Sequence, residues 1–538
     1  MSISRRVAKT LNTSPYIALL VFWALATAIN VNKAFHIDDV FHLEAAEWIK
    51  LNPLQPMSGK INWYNISEPI FHFNQPPGYF YFIATVGAVF GFSEIPLHLA
   101  QGVFSLLAII YFYRLLCLFQ KDFALIGTCF LALGPAFLVN QNLMIDIPIL
   151  CLSIIFIYLL VQADEANEAN EARNVYLASI ILTIGLLLKY SLLPLLLVLV
   201  YAIFEKRKPH LVKALLIPVV ALLAWAGLNY MEFGSSHMLG RPRNDITLSL
   251  ISNNFIAFIL TVGGVAPFSL MFISAFQSTE KKRIVIALAI SVAILVVAAY
   301  VMVYGPVVRS IPYSLLWAIF AYNGLLVIIL FFFAARRMVP DRKAVIVFLW
   351  GLAMGAFILI YSPFMATRHV LLLLPPFIIL GGYVYRNTLP KATKASIGLT
   401  CFLGLALGIS DWVYADFYRK AVPMALMHVP TNSKVWTTGH WGWQWYSKKA
   451  GMVFYEYDVS APQAGDYFVI PEVIAKQKVS DNIVLEKEEI IIYSPTLLNF
   501  FTTAHFARFY NSYSYQLPWY LSVAPVDSVG VYRVSGVE

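Results

Sequence analysis

Two carboxylates stand side by side at Asp38 and Asp39, a few residues past the first long apolar stretch, and Glu44 and Glu47 follow in a helical-looking run, HLEAAEWIK. Neighbouring acids at a membrane boundary are costly to desolvate and repel each other, which makes the pair a candidate for proton chemistry. Asp also caps helices well, and capping alone accounts for one of the two. A third acid, Asp146 in NQNLMIDIPIL, enters another apolar stretch, where Asp-x-Pro is equally ordinary at a helix start. Cations occupy similar boundaries. Lys189 interrupts GLLLKYSLLPLLL, and Arg368-His369 opens the apolar part of TRHVLLLLPPFII. A lysine at the bilayer centre costs about 3 kcal/mol and less at the edge, where it either snorkels or binds an anion. Arginine suits a phosphate because its planar donors grip two oxygens at once. A base that deprotonates an acceptor hydroxyl or amine, with cations steadying a departing phosphate, is the chemistry this set supports. The membrane setting suggests that the phosphate carries a lipid.

Weaker candidates surround these. Glu68, His72 and Gln75 precede the Pro76-Pro77 turn, and each either faces the same site or serves a structured polar loop. Arg241 and Arg243 in GSSHMLGRPRND either guide an anionic substrate or solvate a loop. His369 is either a neighbour in the phosphate site or an interfacial residue.

Composition sets the stage on which these residues act. Hydrophobic residues make up 59% of the chain and charged residues 12%, with a mean hydropathy of +0.71. A soluble domain carries about 25% charged residues, so the chain reads as a polytopic membrane protein. Its net charge of +9 lies mostly in short loops, where basic residues set orientation, and is no nucleic-acid signature. Cys117, Cys129, Cys151 and Cys401 all fall in apolar segments without CxxC spacing, so no disulfide or metal framework follows. The basic N-terminus reads as part of a retained first helix rather than a cleaved signal.

Stretches of spanning length, about twenty residues each, fall near 15–33, 97–119, 122–140, 145–162, 175–189, 191–204, 211–231, 253–276, 284–304, 312–335, 343–361, 369–385 and 395–415. That predicts about thirteen transmembrane helices, two of them short. The aromatic run 78–92 is read as an interfacial or re-entrant helix. With Arg5, Arg6 and Lys9 cytoplasmic, this choice also keeps the basic loops near 114–121, 205–208, 281–283, 336–343 and 386–394 in the cytoplasm. The first outer loop, 34–78, then shares the extracytoplasmic face with Asp146, Lys189, Arg368 and everything after about 416. The charged insert 164–173, DEANEANEAR, reads as a solvated helix extension or loop without chemistry. Residues 1–415 form the expected membrane domain. From 416 to 538, alternating runs such as KVWTTG, DYFVIP, NIVLEKEEIIIYS and VGVYRV, with a helix at WGWQWYSKKAG, predict a small α/β domain on the outer face.

In order and position, IDDVFHLEAAEWI, NQPPGYFYFIA, LMIDIPIL, LLLKYSLLP and TRHVLLLLPPF resemble the GT-C superfamily of polytopic glycosyltransferases. Within it, they resemble the branch of lipid A aminoarabinose transferases and protein O-mannosyltransferases, over roughly the first 385 residues. The resemblance implies that Asp38 is the catalytic base, with Asp39 beside it and Asp146 as the second outer-loop acid. It places Lys189 and Arg368 at the lipid-phosphate end. Two positions depart from the pattern: Gln75-Pro76 stands where aminoarabinose transferases have Lys-Pro, and His369 stands where a Tyr is usual. The resemblance further implies a polyprenyl-phosphate monosaccharide donor and inversion at the anomeric carbon. The acceptor would be an envelope glycan, lipid or protein, and the location a multi-pass inner (plasma) membrane protein. Asp38, Asp39 and Asp146 offer oxygen ligands for a divalent cation, and members of the superfamily differ in using one, so metal use stays open. A lipid-linked-saccharide transporter or flippase is the alternative. It predicts broken helices in repeated halves and midplane charges, whereas no repeat is seen and the unusual charges sit at one boundary. A non-catalytic assembly scaffold has only the C-terminal domain in its favour.

Overall fold

The computed structural model describes residues 14–73, 75–165, 167–205, 209–240, 245–276, 278–302, 311–338, 341–492, 496–504, 507–512 and 515–537. Arg241 and Arg243 lie outside these residues, as do Arg5, Arg6 and Lys9. The molecule is a polytopic helical membrane protein with a sheet-containing C-terminal domain.

Eight helices among the described residues are long and apolar enough to span: Glu94–Cys117, Asp146–Asp164, Glu168–Leu188, His210–Phe233, Leu248–Val265, Pro312–Met338, Arg342–Tyr361 and Pro390–Leu426. Pro15–Asn30, Gly78–Phe90 and Tyr190–Phe204 are shorter apolar helices. The count of thirteen is therefore not reproduced, and proline explains much of the difference. Pro135 splits the 122–140 stretch into Lys121–Ala132 and Pro135–Val139, and the 369–385 stretch is divided into Thr367–Leu371 and Leu374–Gly382 just before Pro375-Pro376. A proline ring cannot follow a preceding helical turn without clash and lacks the donor to continue it. Residues 284–302 of the 284–304 stretch lie in the Ser278–Met302 helix, and 303–304 lie outside the described residues. Gly78–Phe90, the expected interfacial helix, has 13 residues, too few to cross about 30 Å of hydrocarbon.

Helix contacts are closest where side chains vanish. Gly263 and Gly324 face each other across Leu248–Val265 and Ile311–Met338, and a Cβ on either would strike the other helix's carbonyls at Phe320 or Ile259. Small residues of this kind let membrane helices approach backbone to backbone.

The last span, Pro390–Leu426, runs on into the C-terminal domain. Its five-stranded sheet is ordered Val453–Phe454, Val435–Thr437, Tyr467–Pro471, Ser528–Val537, Ile483–Ile492. The first three strands are parallel and the last two pairings antiparallel, with Val469 opposite Val531. Strands and helix thus occur at the runs named from the sequence. The Trp441–Lys449 helix ends before Gly451, whose φ of 84° is open to glycine without strain. Gly442 packs this helix directly on the Phe35 carbonyl. The segment around 507–521 does not stay with the sheet. Phe509, Tyr510, Leu517 and Trp519 join Ile37, Met144, Trp317 and Phe320 in one buried cluster, and Trp519 Nε1 donates to the Gly264 carbonyl at 2.7 Å.

Candidate active site

Asp38 and Asp39 begin at a backbone oddity. Ile37 adopts φ 52°, a conformation a β-branched residue occupies only at a cost of about 1–3 kcal/mol. Burial of its side chain in the cluster just described holds it there. The turn delivers the two acids to different places. Asp38 sits at the N-cap of Asp39–Leu51 but makes no side-chain capping bond; its Oδ2 instead accepts from Arg368 Nη2 at 3.2 Å. Asp39 is sealed from solvent, and its Oδ2 accepts from the His36 N–H at 2.8 Å, closing the turn. Burial pushes the Asp39 carboxyl well above the usual carboxylate range. Asp39 is therefore no part of the cavity, which corrects its expected place beside the base. The turn at Ile37 sends Asp38 to Arg368 and Asp39 back onto the His36 N–H, so the adjacent acids do not share one site.

The other charges come from helix ends. Asp146 opens its spanning helix, and Lys189 follows the last residue of Glu168–Leu188 in extended backbone, φ −155° and ψ 127°. Pro194 keeps the two apolar runs around Lys189 from forming one helix, and a single 3₁₀ turn, Tyr190–Leu192, joins them. Lys189 Nζ reaches Asp146 Oδ1 at 2.8 Å. Arg368, in the short Thr367–Leu371 helix, lies between the two acids, with Nη2 on Asp38 and Nε 3.8 Å from Asp146 Oδ2. Its Nη1 donates to the Tyr510 carbonyl at 3.2 Å. The two acids and two cations sum to zero formal charge, so a burial that would be prohibitive for any one alone is tolerated.

These four side chains line a cavity of about 300 Å³ together with Gln75 and His369. Gln75 Oε1 meets His42 Nε2 at 3.1 Å, and His42 Nδ1 faces the Leu143 carbonyl at 2.9 Å. Burial lowers the His42 pKa. His369 Nδ1 is 3.3 Å from Ser362 Oγ. Aromatic walls complete the space: Phe41, Trp63, Tyr64 and Phe73 from the segment 34–78, Phe357, Tyr361 and Phe364 from the far side. Glu68 and His72 pair with each other at 3.2 Å on the partly exposed loop and do not line the cavity. Sequence reasoning passed over His42, although it lies four residues after Asp38, one helical turn on the same face. It also missed Trp63, Tyr64 and the Tyr510 carbonyl. The aromatics stood out in a polar loop; Tyr510 carried no signal.

The three acids do not form a divalent-cation site. Asp39 turns away, and the Arg368 guanidinium occupies the space between Asp38 and Asp146. Among the described residues no group of three or more His, Cys, Asp or Glu is arranged to hold a metal ion.

Residues 74–228 match the family model of dolichyl-phosphate-mannose-protein mannosyltransferase. The match agrees with the resemblance seen in the motifs; it includes Gln75, Asp146 and Lys189 and ends before Arg368. None of the curated proteins compared matches the chain. Among solved structures, ArnT from Cupriavidus metallidurans bound to undecaprenyl phosphate is 14% identical with a TM-score of 0.41, over 87% of this chain and 94% of that one. Its apo form is 14% identical with a TM-score of 0.42, over 86% and 93%.

Proposed function

We propose that the protein is an inverting glycosyltransferase that moves a monosaccharide from a polyprenyl-phosphate sugar to an envelope acceptor at the extracytoplasmic membrane face. The observation that carries this reading is one guanidinium, Arg368, set between Asp38 and Asp146 at a cavity that Lys189 also enters. The family match over residues 74–228 supports it. An arriving phosphate replaces Asp38 on Arg368, since its oxygens accept the planar donors better than a single carboxylate oxygen does. That exchange frees Asp38, the most accessible of the three acids, to take the proton from an acceptor hydroxyl or amine. The acceptor atom then attacks the anomeric carbon as the bond to the phosphate oxygen breaks. The phosphate leaves with the electron pair, held by Arg368 and Lys189. Asp146 keeps both cations in place between turnovers. One displacement inverts the anomeric centre.

The test is to incubate purified protein with a polyprenyl-phosphate monosaccharide and an envelope extract, and to follow release of free polyprenyl phosphate and appearance of glycosylated acceptor. Both are expected in the parent. Asp38→Asn is expected to lose about a hundred- to ten-thousand-fold in rate, the usual worth of a general base, while still inserting and folding. Movement of intact donor across the bilayer without release of polyprenyl phosphate identifies a transporter instead.

A further inference from the structure

Tyr510 has its carbonyl on Arg368, while its hydroxyl reaches a second set of charges that the proposed reaction does not use. Lys33 and Asp411 form an ion pair sealed from solvent. Lys33 Nζ also donates to Asn142 Oδ1 at 2.5 Å and to the Val139 carbonyl at 3.3 Å, which places all three ammonium protons. Asp411 further accepts from Thr503 Oγ1 at 2.6 Å and from Tyr510 Oη at 2.7 Å. Tyr510 Oη in turn accepts from Asn142 Nδ2 at 3.0 Å.

The pair gathers the segments on which the site is built. Lys33 lies just ahead of the turn that delivers Asp38. Val139 and Asn142 lie just ahead of Asp146. The segment bearing Tyr510 pairs with the one bearing Arg368: Met365 N–H donates to the Ser512 carbonyl at 2.9 Å, and Thr367 N–H to the Phe509 carbonyl at 3.0 Å. A buried ion pair adds little net stability compared with apolar side chains of similar volume, because desolvation offsets the attraction. What a fully satisfied network does supply is a single permitted arrangement, and catalytic groups must be held to about 0.5 Å.

We infer that Lys33 and Asp411 are positioning residues that fix, through Tyr510 and Asn142, the three backbone segments carrying Asp38, Asp146 and Arg368. This rests on reading the cavity as the donor-phosphate site. The double variant Lys33→Met/Asp411→Leu removes both charges together, so neither is left buried alone. Thermal unfolding, amide hydrogen exchange and undecaprenyl phosphate binding are then measured on the full chain. The expected result is a folded variant with a lower melting temperature, because the buried Thr503 and Tyr510 hydroxyls lose their acceptor, with exchange at Met365 and Thr367 at least tenfold faster and binding at least tenfold weaker. Unchanged exchange and binding in the folded variant overturn the proposal. Should the double variant fail to fold, Tyr510→Phe serves. It deletes only the hydroxyl link and keeps the carbonyl that Arg368 uses; faster exchange at Thr367 upholds the inference and parental exchange overturns it. If the parent itself does not bind undecaprenyl phosphate, the donor-phosphate reading fails, and the exchange measurements alone decide the positioning role.

Discussion

Asp38 and Asp39 are one position apart and have opposite surroundings: one meets an arginine at a cavity, the other is buried against its own backbone. Their substitutions should separate cleanly. Asp39→Asn is expected to keep transfer within a few-fold of the parent, because Asp39 lies away from the cavity and an amide oxygen can accept the His36 N–H. Asp39→Leu removes that acceptor and is expected to cost about 1–3 kcal/mol, the price of an unsatisfied buried N–H, read as a drop in melting temperature. Arg368→Lys tests the planar fork. An ammonium cannot address Asp38, Asp146 and a phosphate from one rigid plane, so polyprenyl phosphate binding is expected to weaken about tenfold, or about 1.4 kcal/mol, in a binding titration.

Among the elements, breaks in helices matter more than helices. Lys189 reaches the cavity because the helix ending at Leu188 gives way to a 3₁₀ turn there, and Arg368 because a short helix, Thr367–Leu371, starts afresh after the span that ends at Tyr361. A lysine or arginine in mid-helix would have to snorkel to either face instead. The tightest crossing, at Gly263 and Gly324, packs the helices that support the segment 507–521. Gly263→Leu is expected to destabilise the protein by about 1–3 kcal/mol or more, as overpacking does, with a lower melting temperature in detergent as the readout. At the same scale, the Trp441–Lys449 helix clasps the segment 34–78. Gln444 Nε2 donates to Glu44 Oε1 at 3.0 Å and to the Asn62 carbonyl at 3.1 Å, and Lys449 pairs with Glu47 at 2.8 Å. Glu44 and Glu47, conspicuous beside the acidic pair in the sequence, thus hold the two domains together rather than serving the cavity.

At the scale of the whole molecule, the C-terminal domain is part of the site's frame, and its own stability carries a pH signature. Burial raises the Asp527 carboxyl from 3.8 to about 6, although Tyr418, Val473 and Ser528 all donate to it. Since the folded value lies above the unfolded one, the stabilisation is complete below about pH 4 and is lost as pH rises through about 6. Asp527→Asn is expected to flatten this dependence: between pH 4.5 and 7.5 the parent's melting temperature should fall more than the variant's.

The sequence by itself determined the membrane class, the sheet-bearing C-terminal domain and the chemical character of Asp38, Asp146, Lys189 and Arg368. Those features rest on local signals: apolar runs, alternation along strands, and charges that hydrocarbon would not tolerate without partners. Only the tertiary structure decided that a single guanidinium lies between two of the three acids, that Asp39 faces inward, and that Tyr510, 142 residues beyond Arg368, supplies a bond to it. Such pairings arise when distant segments are packed together, and no periodicity or spacing along one segment encodes which distant carbonyl its arginine will meet. Lys33 and Asp411 escaped notice for the same reason. Each was an isolated charge at or within an apolar run, and it is their mutual burial that gives either of them meaning.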